Sequence, residues 1–228
     1  MKTIGLIGGM SWESSAHYYR SLNRRAAQRL GGLHSAPILM HSVDFADIEQ
    51  LQRSGDWARA GELLAASARR LEAAGADLLG LATNTMHIVA PAIEAAVSIP
   101  FVHIADPTAE ALKAGGFRRA GLLGTRFTME MDFYHARMRR HGVETFAPGV
   151  GHTDLDAIIY EQLCKGIVRD TSRAIYVQAI QRLAAMGAEA VILGCTEITM
   201  LIDDSVSPLP TFDTAELHAN ALVDAALD

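Results

Sequence analysis

The sequence GLIG at residues 5–8 recurs as GLLG at residues 121–124. In each copy, two aliphatic residues lie between two glycines, which is typical of a short strand buried on both faces of a parallel sheet. The aromatic stretch HYY at residues 17–19 then matches FYH at residues 133–135. The two halves of the chain are therefore predicted to be copies of one structural unit.

Two further matches follow in the same order. The pattern RLxxxGAD at residues 70–77 recurs as RLxxxGAE at residues 182–189. The sequence DPTAE at residues 106–110 is echoed by DTAE at residues 213–216, after a proline-marked apolar run in each case. Because all four matches keep their order, we interpret them as a repeat and not as coincidence.

Apolar runs alternate with helical patterns in both halves. The two clearest helices, at 56–74 and 173–186, stop at Gly75 and Gly187, since glycine favours the end of a helix. The predicted strands are 3–8, 37–43, 77–82, 100–104, 119–123, 143–147, 189–193 and 209–212. The alternation predicts an α/β fold of two pseudo-symmetric, doubly wound, Rossmann-like αβα domains. The predicted N-terminal domain is 1–106 plus 213–228, and the C-terminal domain is 107–212. Ligands of open α/β sheets bind beyond the carboxyl ends of the strands, so the active site is expected in the cleft between the domains.

Composition excludes several classes of function. The 228 residues carry a formal net charge of −6, which argues against binding to nucleic acid or to an anionic membrane. No apolar run approaches the ~20 residues of a transmembrane helix. Two cysteines cannot form a disulfide framework, and no secretory leader is visible, so a cytoplasmic location is expected.

The repeat aligns two polar trios that directly follow strands. Thr83-Asn84-Thr85 falls on Cys195-Thr196-Glu197. A helix is expected to begin just after each trio, and its N-terminal amides would favour an anion and lower the pKa of a thiol at Cys195. Its place after a strand favours a functional role for Cys195 over that of an ordinary buried cysteine. Cys164 lies in a helical pattern and is interpreted as structural.

Two acid/base groups placed symmetrically about one pocket suit a particular reaction. One group removes a proton from a carbon, and the other returns a proton on the opposite face. The carbanion formed beside a carboxylate must be stabilised by amides and hydroxyls, which Asn84, Thr85 and Thr196 could supply. No metal-ligand spacing of His and Cys is present, and no dinucleotide-binding fingerprint follows residues 5–9. We therefore expect neither a metal nor a cofactor.

The motifs at 8–14 (GGMSWES), 83–87 (TNTMH) and 194–198 (GCTEI) resemble the aspartate/glutamate racemase family. The resemblance covers nearly the whole chain. It implies two pseudo-symmetric α/β domains, a two-base mechanism without pyridoxal, and a homodimer. The catalytic pair of that family is ordinarily two cysteines, one in each half.

Thr83 departs from this pattern, since a threonine hydroxyl is far less acidic than a thiol of pKa ~8.5. The chain resembles a subgroup of the family that has this threonine and acts mainly on L substrates. The catalytic pair is thus predicted to be Cys195 and Thr83, with racemisation of aspartate or glutamate that kinetically favours the L enantiomer.

The resemblance also implies contacts with the substrate. Gln52 is chosen over its neighbour Arg53 as the residue that enters the pocket, and Lys165 matches a family lysine that binds the side-chain carboxylate. Met10 and Ser11 are expected to offer amides or a hydroxyl to the α-carboxylate. For two further residues the sequence is compatible both with a role in the site and with simple packing. They are Glu197, which either orients Cys195 or lines the cleft, and His87.

Two other functions stay open at this point. A relative of the same superfamily with one cysteine could decarboxylate or isomerise a carbon acid, although the polar trio at Thr83 argues against the apolar pocket that an arylmalonate needs. The chain could also be a non-catalytic amino-acid-binding module, since two α/β lobes around one pocket are a common binding architecture.

Overall fold

The computed structural model describes residues 1–149 and 152–228. The strands are β1 (Ile4–Gly8), β2 (Ile38–Ser42), β3 (Leu78–Leu81), β4 (Arg119–Gly124), β5 (Glu144–Phe146), β6 (Ala190–Gly194) and β7 (Thr211–Asp213). The α-helices are α1 (Trp12–Leu30), α2 (Phe45–Ser54), α3 (Trp57–Ala73), α4 (Ala90–Glu94), α5 (Ala105–Ala114), α6 (Arg126–Glu130), α7 (Asp132–Arg140), α8 (His152–Glu161), α9 (Asp170–Ala185) and α10 (Thr214–Leu227). Three short 3-10 turns lie at Thr85–Val89, Leu163–Lys165 and Thr196–Met200.

The chain divides into two compact units. The first unit is Met1–Ile104 with His218–Asp228, and the second is Ala105–Leu217. The sheet of the first unit has the strand order β2-β1-β3, and that of the second has the order β5-β4-β6-β7. Every named strand pair is parallel, so the predicted fold class of two parallel-sheet α/β domains is confirmed. The chain returns to the first unit at His218, inside α10.

The repeated glycines lie where neighbouring side chains leave no room for a Cβ. A Cβ at Gly5 would lie 2.6 Å from Leu79 Cδ2, and a Cβ at Gly121 would lie 2.5 Å from Leu183 Cδ1. Both glycines are in fully buried stretches of the central strands β1 and β4. Packing therefore explains why the first strand of each unit has the same tetrapeptide pattern. In both β1 and β4, an apolar side chain packs closely against the first glycine of the pattern.

The helix ends predicted at Gly75 and Gly187 are confirmed. Gly75 has a φ of 96° and Gly187 a φ of 95°, a backbone conformation that glycine adopts without steric cost. Each follows directly on the last turn of its helix, α3 or α9. The chain then turns into β3 in the first unit and β6 in the second.

The strand predicted at 100–104 is wrong in extent, because only Phe101 pairs there. It forms a single parallel bridge to Leu79. Pro100 has no N–H, so it contributes only its carbonyl, which accepts from the Leu79 N–H at 2.8 Å. Since α5 begins at Ala105, the segment is too short to extend the ladder.

The C-terminal part of α10 is anchored in the first unit by His218. Its Nε2 lies 2.8 Å from the Val102 carbonyl, which can only accept, so Nε2 donates. In the neutral ring Nδ1 is then the acceptor, and the fully buried Tyr18 hydroxyl donates to it at 2.8 Å. This buried chain of hydrogen bonds ties α1, α10 and the segment between α4 and α5 together.

Tyr18→Phe is expected to lower the free energy of unfolding by about 1–3 kcal/mol, because it leaves a buried acceptor without its donor. Urea unfolding followed by circular dichroism measures the change. Tyr19→Phe is the matched control, since Tyr19 is 55% exposed. An equal effect of both substitutions would show that the buried hydrogen bond does not stabilise the fold.

Candidate active site

Thr83 follows β3 at the carboxyl edge of the first sheet. It is half-buried, and its N–H donates to the Leu81 carbonyl at 2.9 Å. The preceding residue, Ala82, accepts a hydrogen bond from Ser14 Oγ at 3.3 Å. Because Ser14 lies in the first turn of α1, this contact holds the start of that helix beside the strand end that carries Thr83.

His87 holds the backbone of Thr83 from the other side. Its Nε2 accepts from the Ile104 N–H at 3.2 Å, so in the neutral ring Nδ1 carries the proton and donates to the Thr83 carbonyl at 2.7 Å. Burial, followed by the nearby rings of His103 and His218, keeps the pKa of His87 well below its usual value. His87 is therefore a neutral residue that positions the Thr83 backbone.

Cys195 follows β6 at the carboxyl edge of the second sheet, and its thiol is bonded to a carboxylate. The half-buried Sγ donates to Glu197 Oε2 at 2.9 Å. The Thr196 hydroxyl donates to the same oxygen at 2.7 Å. Glu197 itself is only 8% exposed, so the thiol faces a buried negative group two residues further along the chain.

The prediction that helix amides lower the pKa of Cys195 is wrong. Burial, the negative charge of Glu197 and the S–H hydrogen bond to it raise the pKa of this thiol well above its usual value. The Glu197 N–H acts in the opposite direction but is a smaller effect. The element after Cys195 is a five-residue 3-10 turn, which offers too few aligned amides to outweigh the carboxylate.

Cys164 approaches the same carboxylate, which its interpretation as a purely structural residue did not anticipate. Its Sγ lies 3.9 Å from Glu197 Oε1. Burial and the charge of Glu197 raise the pKa of this second thiol to about 12. Cys164 lies in the 3-10 turn Leu163–Lys165, and its neighbour Lys165, the last residue of that turn, is exposed. Within residues 1–149 and 152–228, Lys165 forms no ion pair.

Gln52 and Arg53 point in different directions, as adjacent helical residues must. Gln52 is only 4% exposed, and its Nε2 lies 2.9 Å from Met86 Sδ. No hydrogen bond from the described part of the chain reaches its Oε1. The Arg53 side chain is 80% exposed and pairs with Glu49 one turn away. Gln52 is thus the inward-facing residue of the two.

Met10 and Ser11 lie in the turn between β1 and α1. The Met10 side chain is 5% exposed and belongs to the hydrophobic core of the first unit. Ser11 Oγ accepts from the Ser14 N–H at 3.2 Å and so caps α1. The Ser11 hydroxyl therefore already has a structural role at the start of a 19-residue helix.

The remaining predicted site residues lie in the 3-10 turns and their approaches. Asn84 and Thr85 are each 5% exposed, and Thr196 is half-buried.

No cluster of three or more His, Cys, Asp or Glu that could hold a metal ion occurs in the described ranges. Within the same residues, no helix is long and apolar enough to cross a membrane.

Sequence reasoning missed two contacts whose signals were present. His87 lies four residues after Thr83, a spacing at which a side chain reaches back to the preceding turn. Cys164 stands beside Lys165, which the resemblance had already marked for the site. In both cases the residue was visible in the sequence, but the atom that it contacts is determined by how the turn folds.

The chain is similar to known racemases over most of its length. The family model described as Asp/Glu/hydantoin racemase matches residues 7–222. A broad-specificity amino-acid racemase from Bacillus subtilis is 26% identical over 162 residues, which cover 69% of this chain and 68% of that protein.

Two solved structures are more similar in sequence. A candidate Asp/Glu racemase from Yersinia pestis is 50% identical, with a TM-score of 0.93 over 100% of both chains. An aspartate racemase homologue from Pyrococcus horikoshii is 32% identical, with a TM-score of 0.87 over 100% of both chains.

Proposed function

This chain belongs to the Asp/Glu/hydantoin racemase family and is an amino-acid racemase, and we propose that it acts on aspartate and glutamate by removing and returning the Cα proton without a cofactor. The observation that carries the proposal is the thiol of Cys195 at the end of β6, bonded to a buried carboxylate. Its repeat equivalent at the end of β3 is Thr83. The proposal pairs these two residues at one substrate.

The chemistry requires a base on one face of Cα and a proton donor on the other. Cys195 is the proposed base for the L enantiomer, because sulfur is the more acidic and more available of the two groups. Thr83 is the proposed proton donor on the other face, acting directly or through a water. Since its alkoxide is scarcely accessible near neutral pH, proton removal from the Thr83 side is the slow step, and the protein removes the α-proton of the L substrate faster than that of the D substrate.

The proposed substrate contacts follow from the polar groups near the two strand ends. Gln52 is a buried amide with an unfilled hydrogen-bonding position, and rotation of its terminal amide exchanges the acceptor for an N–H donor. Lys165 is proposed to bind the side-chain carboxylate as an unpaired cation. Met10 and Ser11 contribute backbone amides, and the polar residues flanking the catalytic pair stabilise the carbanion. Those flanking residues are Asn84, Thr85, Thr196 and Glu197.

Chiral analysis tests the function directly. Purified protein is incubated with L- and D-aspartate, L- and D-glutamate and a few neutral amino acids, and both enantiomers are then quantified. We expect D product from the acidic L substrates, with the α-hydrogen exchanged for deuterium in D₂O and no CO₂ released. Decarboxylation would reveal the one-cysteine alternative. Binding without any D product from any L substrate would contradict the racemase assignment.

We also propose that the protein is a homodimer that uses an apolar face of the first unit. Trp12 and Tyr19 on α1 are 67% and 55% exposed, and Met40 on the edge strand β2 is 39% exposed. These side chains line a recess of about 1000 Å³, and exposed apolar groups beside a strand edge are typical of an interface. Sedimentation equilibrium is expected to give a dimer that Tyr19→Glu dissociates. A monomeric wild type at micromolar concentration would contradict this.

A further inference from the structure

Glu197 holds its carboxylate against the two cysteines of the chain. Oε2 accepts from the Cys195 thiol at 2.9 Å and from the Thr196 hydroxyl at 2.7 Å. Oε1 faces Cys164 Sγ at 3.9 Å. With the side chain only 8% exposed, the orientation of Oε2 toward Cys195 is determined by the protein and not by solvent.

The titratable groups that raise the pKa of the Cys195 thiol are Glu197 and Cys164. Tyr176 on α9 interacts electrostatically with Cys195, Glu197 and Cys164, and with Asp156 on α8, and its pKa is raised well above its usual value mainly by burial. Cys164 adds a further unfavourable interaction to the Cys195 thiolate. The thiol and carboxylate therefore lie in surroundings that keep a proton on sulfur in the resting protein.

A neutral thiol is a poor base, so the reaction needs a place for the proton that sulfur already carries. Among the described residues, the acceptor bonded to the Cys195 S–H is the Glu197 carboxylate. We propose that Glu197 accepts the thiol proton of Cys195 while the sulfur takes the α-proton of the substrate. This deepens the proposed function and rests on it.

The step is balanced as two coupled proton transfers. The Cα–H bond breaks, its electron pair stays on the substrate carbanion, and a new S–H bond forms. The former S–H bond breaks, and its proton moves 2.9 Å along the existing hydrogen bond to Glu197 Oε2. Thr196, which donates to the same oxygen, keeps that oxygen in line with the thiol. Glu197 thus acts through Cys195 as a positioning residue and proton acceptor, without touching the reacting carbon.

The pH dependence of racemisation distinguishes this role from simple packing. With Glu197 in place, the thiol proton has an acceptor within the protein, so kcat/KM is expected to be flat between about pH 6 and 8. In Glu197→Gln the thiol must instead lose its proton to solvent, so kcat/KM is expected to rise about tenfold per pH unit toward the thiol pKa. Glu197→Asp keeps a carboxylate and is expected to restore the flat profile at a lower rate.

Glu189→Gln is the matched control. Glu189 lies just before β6, at the opposite end of the strand from Cys195, and its carboxylate accepts from the backbone N–H groups of Arg118 and Arg119. This variant is expected to keep the wild-type profile. Parallel profiles for wild type and Glu197→Gln would overturn the proposal.

Alkylation of Cys195 gives a readout that does not need racemase activity. Iodoacetamide labelling is followed by peptide-resolved mass spectrometry, with Cys164 as the internal reference in the same sample. Because the carboxylate opposes the thiolate, Glu197→Gln is expected to shift the labelling of Cys195 to lower pH. An unchanged labelling profile would overturn the Cys195–Glu197 coupling even if the protein racemises its substrates. A shifted profile in a protein that makes no D product would contradict the proposed function alone.

Discussion

Cys195→Ser is expected to lower the rate at which L-aspartate and L-glutamate exchange their α-hydrogen in D₂O by a factor of about 10² to 10⁴, the usual contribution of a positioned acid/base group. A serine hydroxyl keeps the shape of the side chain and can still donate to Glu197 Oε2, but its alkoxide is scarcely available as a base. Cys195 is the proposed base for the L enantiomer, whereas racemisation is expected to fall by a smaller factor because its slow step in the wild type lies on the Thr83 side. Chiral chromatography and proton NMR in D₂O measure the two rates.

Cys164→Ser is the matched control for this loss. Cys164 is the other cysteine of the sequence, and it lies near the same carboxylate at the longer distance of 3.9 Å. Its substitution is expected to leave most of the activity. Equal losses in the two variants, with equal thermal stability, would mean that Cys195 is not the specific base.

Thr83→Cys is expected to accelerate the removal of the α-proton from the D enantiomer by about 10²-fold or more, since it replaces a hydroxyl with a group of pKa ~8.5. Two enantiomers have equal free energy in water, so kcat/KM for racemisation must be the same in both directions. The asymmetry of the wild type must therefore appear in hydrogen exchange. In D₂O, L-glutamate is expected to exchange its α-hydrogen faster than it racemises, whereas D-glutamate exchanges only as it racemises.

The two rates are expected to converge in Thr83→Cys. Racemisation measured from either enantiomer then accelerates, because the slow step lies on the Thr83 side. Thr83→Ser is the matched control: it keeps the hydroxyl and is expected to retain the asymmetry of the wild type. Exchange from the D enantiomer that is no faster in Thr83→Cys than in Thr83→Ser would contradict the pairing of Thr83 with Cys195 at one substrate.

The internal repeat made much of the fold predictable. Strand patterns such as GLIG and GLLG depend on local composition, and the helix ends at Gly75 and Gly187 depend on a backbone conformation that glycine adopts readily. Both kinds of signal are local, so they were readable without knowledge of the neighbours. The strand expected at 100–104 failed for the opposite reason, because its length is limited by the start of α5 at Ala105.

The repeat also located the candidate chemistry, since it aligned Thr83 with Cys195 and placed each after a strand. The position of Cys195 after a strand could not determine the protonation state of its thiol. The protonation state depends on which atom lies within hydrogen-bonding distance of Sγ. Only Thr196 separates Glu197 from Cys195 in the sequence, and the 3-10 turn that begins at Thr196 brings the Glu197 carboxylate back to the thiol. The amides that were expected to lower the thiol pKa are outweighed by this one buried carboxylate.

The sequence by itself therefore determined the two-unit α/β architecture, the membership of a racemase family and the identity of the residues at the two strand ends. The cytoplasmic location stays a prediction. Only the tertiary structure decided that His87 holds the Thr83 carbonyl, that Gln52 faces inward while Arg53 faces solvent, and that the Cys195 thiol is bonded to Glu197. The physical reason is range: strand and helix patterns arise from neighbours along the chain, whereas a hydrogen bond and the burial of a charge depend on the positions of particular atoms after folding.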